Sequence, residues 1–229
     1  MKILGVLGKN NNSSIVYDKK YLRCFKNINV IGIFPWSDYS ICDAYFIQGG
    51  KNVEKWFFDV IEYAVKNNKP ILGICLGCQV LGLYGDSNAS LKQVNNHNQT
   101  NHMVYFEKNS FLYDLYGASS LVNSKHYEAI DRLSNLFRVI AYSRDGVIEA
   151  IQYKDNTKFI VGLQWHPEEM QYMYKIFDIF LSKIWKFIDF LLYHDKLNLG
   201  WFYESKRMEF IFIYWICCFT SYICACNSV

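Results

Sequence analysis

The stretch that most constrains this chain is Pro70-Ile71-Leu72-Gly73-Ile74-Cys75-Leu76-Gly77-Cys78-Gln79. A short apolar run ends in Gly-x-Cys-x-Gly, and a helix-compatible segment follows. That order predicts a nucleophile elbow, a sharp strand-to-helix turn that lifts a reactive side chain out of a sheet. Glycine is needed on both sides of the cysteine because neighbouring backbone comes too close for a Cβ. At the start of a helix, the positive dipole end and unpaired N–H groups favour thiolate over thiol. There the Leu76 N–H would face an oxygen on the carbon under attack, as half of an oxyanion hole. A buried cysteine in a glycine-bearing turn would carry the same short pattern, so a second signal is needed.

That signal lies far downstream. Residues 158–165 read as a strand ending at His166-Pro167-Glu168. A cysteine nucleophile needs a general base, and the base needs an orienting acceptor. His166 can take the thiol proton and later return it to a leaving group. Glu168, two residues on across a stiff proline, can accept from the far ring nitrogen. A histidine that merely caps a strand is the alternative for His166 alone. Elbow and His-Pro-Glu together make it the weaker one.

The residues around these motifs predict a doubly wound α/β fold. Apolar runs at 2–7, 29–35, 44–47 and 70–74 suit strands covered on both faces. Residues 53–67 have the apolar spacing of an amphipathic helix, and 17–26 read as another helix. Strands alternating with helices place a site at the strands' C-terminal ends. Further strands are expected at 103–107, 121–122, 138–142, 147–153 and 159–165. Asp145-Gly146 marks a hairpin, and Ser110 a helix cap for a helix reaching 116. Residues 8–14 read as a polar loop, and 170–185 as a closing helix. Hydrophobic residues make up 52% of the 229, enough to cover both faces of such a sheet.

The motifs resemble those of class I glutamine amidotransferase domains over roughly residues 1–185. Cys75, His166 and Glu168 match that family's Cys-His-Glu triad. Within the superfamily the chain is most similar to the stand-alone gamma-glutamyl hydrolase branch, the gamma-glutamyl-gamma-aminobutyrate hydrolase-like proteins. Val122-Asn123-Ser124-Lys125-His126 and the segment from Asp145 to Ile151 carry that similarity. The resemblance implies a mostly parallel, flavodoxin-like sheet and hydrolysis of a gamma-glutamyl amide through a thioester. It implies that Gly50 adds the second oxyanion N–H beside Leu76, with Gly49 at the substrate. The proline that usually precedes these glycines is Gln48 here. Gln79, Ser124 and His126 are implied substrate contacts, although turn chemistry alone could explain the last two.

The mechanism calls for no cofactor and no metal. His97 and His102 are five residues apart, but the sequence offers no cysteine or carboxylate at usable spacing to complete a ligand set. Glu149 reads as structural. The net charge of +3 is too small, and the basic residues too scattered, to imply a nucleic-acid partner. The expected partner is a small gamma-glutamyl molecule, and the alternative is a glutaminase subunit feeding ammonia to a synthetase in trans. No secretory leader is visible at the start of the chain, and Cys75 must stay reduced, so a cytoplasmic setting is expected. Residues 186–229 depart from the resemblance. Residues 210–226 carry no formal charge and include Cys217, Cys218, Cys224 and Cys226. A membrane tail anchor, a packed extension and an unselected extension all fit this stretch.

Overall fold

The computed structural model describes residues 2–11 and 14–185. The extension expected from residue 186 onward, with its uncharged run and four cysteines, lies outside the described residues. No helix among the described residues is long and apolar enough to cross a membrane.

The elements in chain order begin with β1 (Ile3–Leu7), β2 (Lys9–Asn11), β3 (Ser14–Val16), α1 (Lys19–Leu22), β4 (Asn29–Ile33) and β5 (Ala44–Ile47). Next come α2 (Lys55–Lys66), β6 (Ile71–Ile74), α3 (Leu76–Leu83), β7 (Ser90–Gln93), β8 (Asn98–Phe106) and α4 (Phe111–Tyr116). The chain then runs through β9 (Ser119–Lys125), β10 (Glu128–Arg132), β11 (Phe137–Ser143), β12 (Ile148–Tyr153), β13 (Ile160–Leu163) and α5 (Lys175–Ser182).

Nine strands form the main sheet in the order β4-β1-β5-β6-β13-β12-β11-β8-β9. The half from β4 to β13 is parallel, and it contains the elbow strand β6 between β5 and β13. From β13 outward the strands run antiparallel. The expected doubly wound α/β architecture therefore stands, with an antiparallel extension on one side.

Alternation along the central strands divides the core between two faces. Leu4, Val6, Phe46, Leu72 and Ile74 pack with Tyr21, Phe25, Leu112, Phe177 and Phe180 on one side. Leu7, Tyr45, Ile47 and Ile71 pack with Phe57, Val60, Ile61, Leu76 and Leu81 of α2 and α3 on the other. Each such fully buried side chain is worth roughly 1.5–3 kcal/mol. Burial is complete along β5 and β6, which fixes the ends of those strands against the elbow.

Several local expectations shift. Residues 8–14, read as a loop, contain the short hairpin of β2 and β3. The helix read at 17–26 is only the single turn of α1. β8 begins five residues before the expected strand, so Asn98 to His102 also lie in the ladder with β9. β7 and β10 pair in a separate two-stranded sheet that the sequence reading did not anticipate. The closing helix starts only at Lys175, after two short 3-10 turns, Pro167–Glu169 and Gln171–Met173.

Candidate active site

β6 delivers Cys75 to the edge of the sheet, and α3 starts at the next residue. Cys75 has φ 54° and ψ −103°, a conformation that costs a non-glycine residue about 1–3 kcal/mol. Two contacts hold it there. The Cys75 N–H donates to the Leu163 carbonyl at the end of β13 (2.8 Å), and the Gln79 N–H closes the first helical turn on the Cys75 carbonyl (3.2 Å). The flanking glycines are sterically required. A Cβ on Gly77 would stand 2.3 Å from the Ile47 carbonyl oxygen, and one on Gly73 would stand 2.6 Å from the Gly77 backbone. The elbow can thus form only where β5, β6 and α3 touch backbone to backbone.

His166 follows the end of β13 and is 6% exposed. Its Nδ1 lies 2.8 Å from Glu168 Oε1 and 3.2 Å from the Tyr21 hydroxyl. With Nδ1 engaged by the carboxylate, Nε2 is the nitrogen left for a proton transfer. A Cβ built on Gly49 would lie 3.2 Å from His166 Cε1 and 3.5 Å from Cys75 Cβ. Cys75 and His166 therefore face the same Gly49 position, and only a residue without a side chain leaves the space between them open. Burial pulls the imidazole pKa down, but its bonds to the Cys75 sulfur and to Glu168 outweigh that and lift it to about 9.

The supporting shell comes from distant segments. Asn123, on β9, grips the His166 backbone on both sides: its Oδ1 accepts from the His166 N–H (2.8 Å) and its Nδ2 donates to the His166 carbonyl (3.0 Å). The buried Tyr21 hydroxyl accepts from the Gly49 N–H (3.2 Å) while touching His166. The Glu168 side chain is fully buried, with Lys20 Nζ 3.0 Å from its Oε1, and the same ammonium reaches Glu169 (2.9 Å). Sequence reasoning missed Tyr21 and Lys20, and gave Asn123 no part in holding His166.

The remaining expected site residues fall into two groups. Gly50 sits against Leu76, where a Cβ would meet Leu76 Cδ2 at 2.8 Å. The N–H of Leu76, first in its helix, has no acceptor one turn back. Gln79, Ser124 and His126 are instead buried and bonded internally. Gln79 Nε2 donates to the Glu128 carbonyl (2.7 Å) and to Gln164 Oε1 (3.3 Å). Ser124 Oγ donates to the His97 carbonyl (2.6 Å), and His126 Nδ1 to the Glu128 carbonyl (3.0 Å). These two frame a cluster of His97, His102 and His126 around Glu149. Burial alone would raise the Glu149 carboxyl, yet the three imidazoles hold it well below the usual carboxylate range. The sequence offered no carboxylate partner for His97 and His102, and the fold supplies one from β12.

A surface hollow lies elsewhere, lined by Phe111, Asp114, Gln152, Phe159, Ile179 and Lys183. It holds neither Cys75 nor His166.

A strained cysteine at the C-terminal edge of a parallel sheet, facing a histidine–glutamate pair, has the form of the class I glutamine amidotransferase-like hydrolases. The chain belongs to the Peptidase C26 family, whose profile matches residues 47–168. Protein NtpR of Enterococcus hirae is 33% identical over 132 residues, spanning 51% of this chain and 55% of that protein. The gamma-glutamyl-CDP-amidate hydrolase of Campylobacter jejuni is 33% identical over 109 residues, 48% of each chain. The chain thus spans about half the length of the curated relatives it matches. The crystal structure of a glutamine amidotransferase from Thermotoga maritima shares the fold. It has a TM-score of 0.58 at 19% identity, covering 80% of this chain and 84% of that one.

Proposed function

We propose that this chain hydrolyses gamma-glutamyl amides through a thioester on Cys75. The observation that carries the reading is the meeting of the strained Cys75 elbow with the His166–Glu168 pair across Gly49. His166 Nε2 holds the proton given up by the thiol as Cys75 Sγ attacks the side-chain amide carbonyl. The oxyanion of the tetrahedral intermediate lies between the Leu76 and Gly50 N–H groups. As the C–N bond breaks, His166 returns the proton to the departing amine. Water then attacks the thioester with His166 as base, the C–S bond breaks, and glutamate leaves. Glu168 keeps Nδ1–H engaged throughout, so that Nε2 stays the working nitrogen. The similarity to a gamma-glutamyl-CDP-amidate hydrolase supports the choice of a gamma-glutamyl substrate.

The test incubates the purified full chain with glutamine, gamma-glutamyl amines and gamma-glutamyl peptides. It follows glutamate and ammonia release, with mass spectrometry of the quenched protein. A gamma-glutamyl adduct on Cys75, lost together with turnover in Cys75→Ala, is the expected result. Ammonia release from glutamine that rises sharply only with an added synthetase would favour the ammonia-supplying role instead. No adduct with any substrate would overturn the reading.

A further inference from the structure

Beside the elbow helix, three imidazoles converge on one buried carboxylate. β12 brings Glu149, which is fully buried, while the segment entering β8 brings His97 (2% exposed). β8 itself brings His102, and the turn between β9 and β10 brings His126 (4% exposed). Glu149 Oε1 stands 3.3 Å from His97 Nδ1, 3.1 Å from His102 Nε2 and 3.7 Å from His126 Nε2. The facing atoms of His97, His126 and Glu149 all lie within 4.8 Å of one another.

Short distances alone would suit a set of hydrogen bonds, but the angles do not. His102 Nε2, His126 Nε2 and both Glu149 oxygens are shielded from solvent and lack a hydrogen bond of acceptable geometry among the described residues. Buried polar atoms rarely go unsatisfied, and a carboxylate least of all. Lone pairs aimed at a common centre explain the pattern better than N–H groups aimed at an oxygen. With metal–ligand bonds of about 2.0–2.1 Å, neighbouring ligand atoms of a tetrahedral zinc site stand about 3.3 Å apart. The distances from Glu149 to His97 (3.3 Å) and His126 (3.7 Å) lie close to that edge.

The outer nitrogens are arranged to match. His97 Nε2 lies 3.0 Å from Asp145 Oδ2, and His126 Nδ1 lies 3.0 Å from the Glu128 carbonyl. A metal-ligating histidine characteristically donates its other N–H to such an acceptor, which fixes the tautomer and turns the bare nitrogen inward. Here the carbonyl fixes His126 with Nε2 inward, and the carboxylate fixes His97 with Nδ1 inward. Ser143 Oγ in turn bonds Asp145. Two neutral imidazoles and one carboxylate leave a dication with one net positive charge, and Asp145 stands beside it. The other His/Glu grouping, His166 with Glu168 and Glu169, is occupied by Lys20 and belongs to the reaction site.

We propose that His97, His126 and Glu149 bind one zinc-class divalent transition-metal ion per chain, with a water completing the set. His102 Nε2 stands 3.1 Å from Glu149 Oε1 and is not one of the three converging ligands. Since β10 pairs with β7, outside the main sheet, the ion ties the β9–β10 turn to the entry of β8 and to β12. The site stands independently of the reading of Cys75.

The test strips the purified full chain with a chelator and titrates it with Co2+, which reports coordination in its visible spectrum. One equivalent should give the intense ligand-field bands of four-coordinate cobalt without thiolate charge transfer. The bands should persist after every thiol is alkylated, a treatment that leaves Cys75 unable to react, and Zn2+ should displace them. Zn2+ should also raise the melting temperature of the stripped protein. Glu149→Gln and His97→Asn should each weaken Zn2+ binding by a hundredfold or more. The wild-type cobalt spectrum stands even if a variant fails to fold. The proposal is overturned by a weak six-coordinate spectrum, by bands that vanish on alkylation, or by unchanged affinity in a folded Glu149→Gln protein.

Discussion

Replacing Asn123 with leucine should uncouple His166 from its scaffold at nearly constant side-chain volume. His166 lies beyond the last paired residue of β13, Leu163, so no ladder holds its backbone. The Asn123 amide makes both missing bonds, 2.8 Å to the His166 N–H and 3.0 Å to its carbonyl. Leucine removes donor and acceptor together, which leaves the buried His166 N–H unpaired while the His166 carbonyl keeps only the Glu169 N–H (3.2 Å). An unpaired buried group costs about 1–3 kcal/mol, so the variant should lose about that much. That is a sizeable share of the roughly 5–15 kcal/mol typical of a domain. Urea unfolding should show a lower midpoint with an unchanged slope. In whatever folded protein remains, kcat should fall more than KM changes. The amide touches no substrate, and a shift of about 1 Å in a base can cost about a hundredfold in rate. Asn123→Asp adds a pH-dependent control. Its second oxygen would face the His166 carbonyl, which it can bond only when protonated, so its folded pKa is raised above the ordinary value of about 3.9. The variant should approach wild-type stability below about pH 4 and fall behind as pH rises through the folded pKa. Leucine and aspartate variants both within about 0.5 kcal/mol of wild type at pH 7 would refute the clamp.

Gly77→Ala should prevent the elbow from closing, because its Cβ would stand 2.3 Å from the Ile47 carbonyl oxygen. A loss of about 3 kcal/mol or more is expected, read as a collapse in soluble yield or thermal midpoint. Tyr21→Phe should leave the buried Gly49 N–H without its 3.2 Å acceptor and His166 Nδ1 without one of its two neighbours. It should cost about 1–3 kcal/mol in stability and shift the pH profile of kcat, whereas a purely packing role would leave that profile in place. His166 itself should make stability pH-dependent. It keeps its proton to about 9 when folded, against 6.5 unfolded. Its contribution is therefore complete below about pH 6.5 and is lost as pH rises through about 9. A His166→Gln protein should lack that slope in denaturant titrations at successive pH values.

Sequence signals were reliable where structure is decided locally. β5 matches its apolar run, and the elbow appears at the Gly-x-Cys-x-Gly pattern because both glycines answer contacts that only one turn geometry makes. Ser110 caps α4 as its position suggested, accepting from the Tyr113 N–H. Failures came where pairing across the sheet overrides local pattern. β7 and β10, with sequences SLKQ and EAIDR, carry little apolar alternation and exist as strands because they hydrogen-bond each other. The entry of β8 carries no apolar alternation because its exposed residues alternate with polar ones that are only half-buried. At 170–185 the helical spacing was real. Yet the chain spends two 3-10 turns past Pro167 holding Glu168 before a regular helix can start.

The same division runs through the site. Cys75, His166 and Glu168 could be read as candidates because they follow the ends of two strand signals, β6 and β13, with their chemistry written within a few residues. What orients them is not local: Tyr21 reaches His166 across 145 positions and Asn123 across 43. Nothing in a tyrosine among mixed residues, or in an asparagine before Ser-Lys-His, distinguishes an orienting group from a substrate contact. Glu149 shows the same limit more sharply. Metal-site spacing rules work when one loop or helix supplies most of the ligands. Here three separate segments each supply one: the entry of β8, the β9–β10 turn and β12. Strand order, rather than residue spacing, brings that carboxylate to the imidazoles. A ligand search by sequence interval therefore passes over a set that the topology assembles.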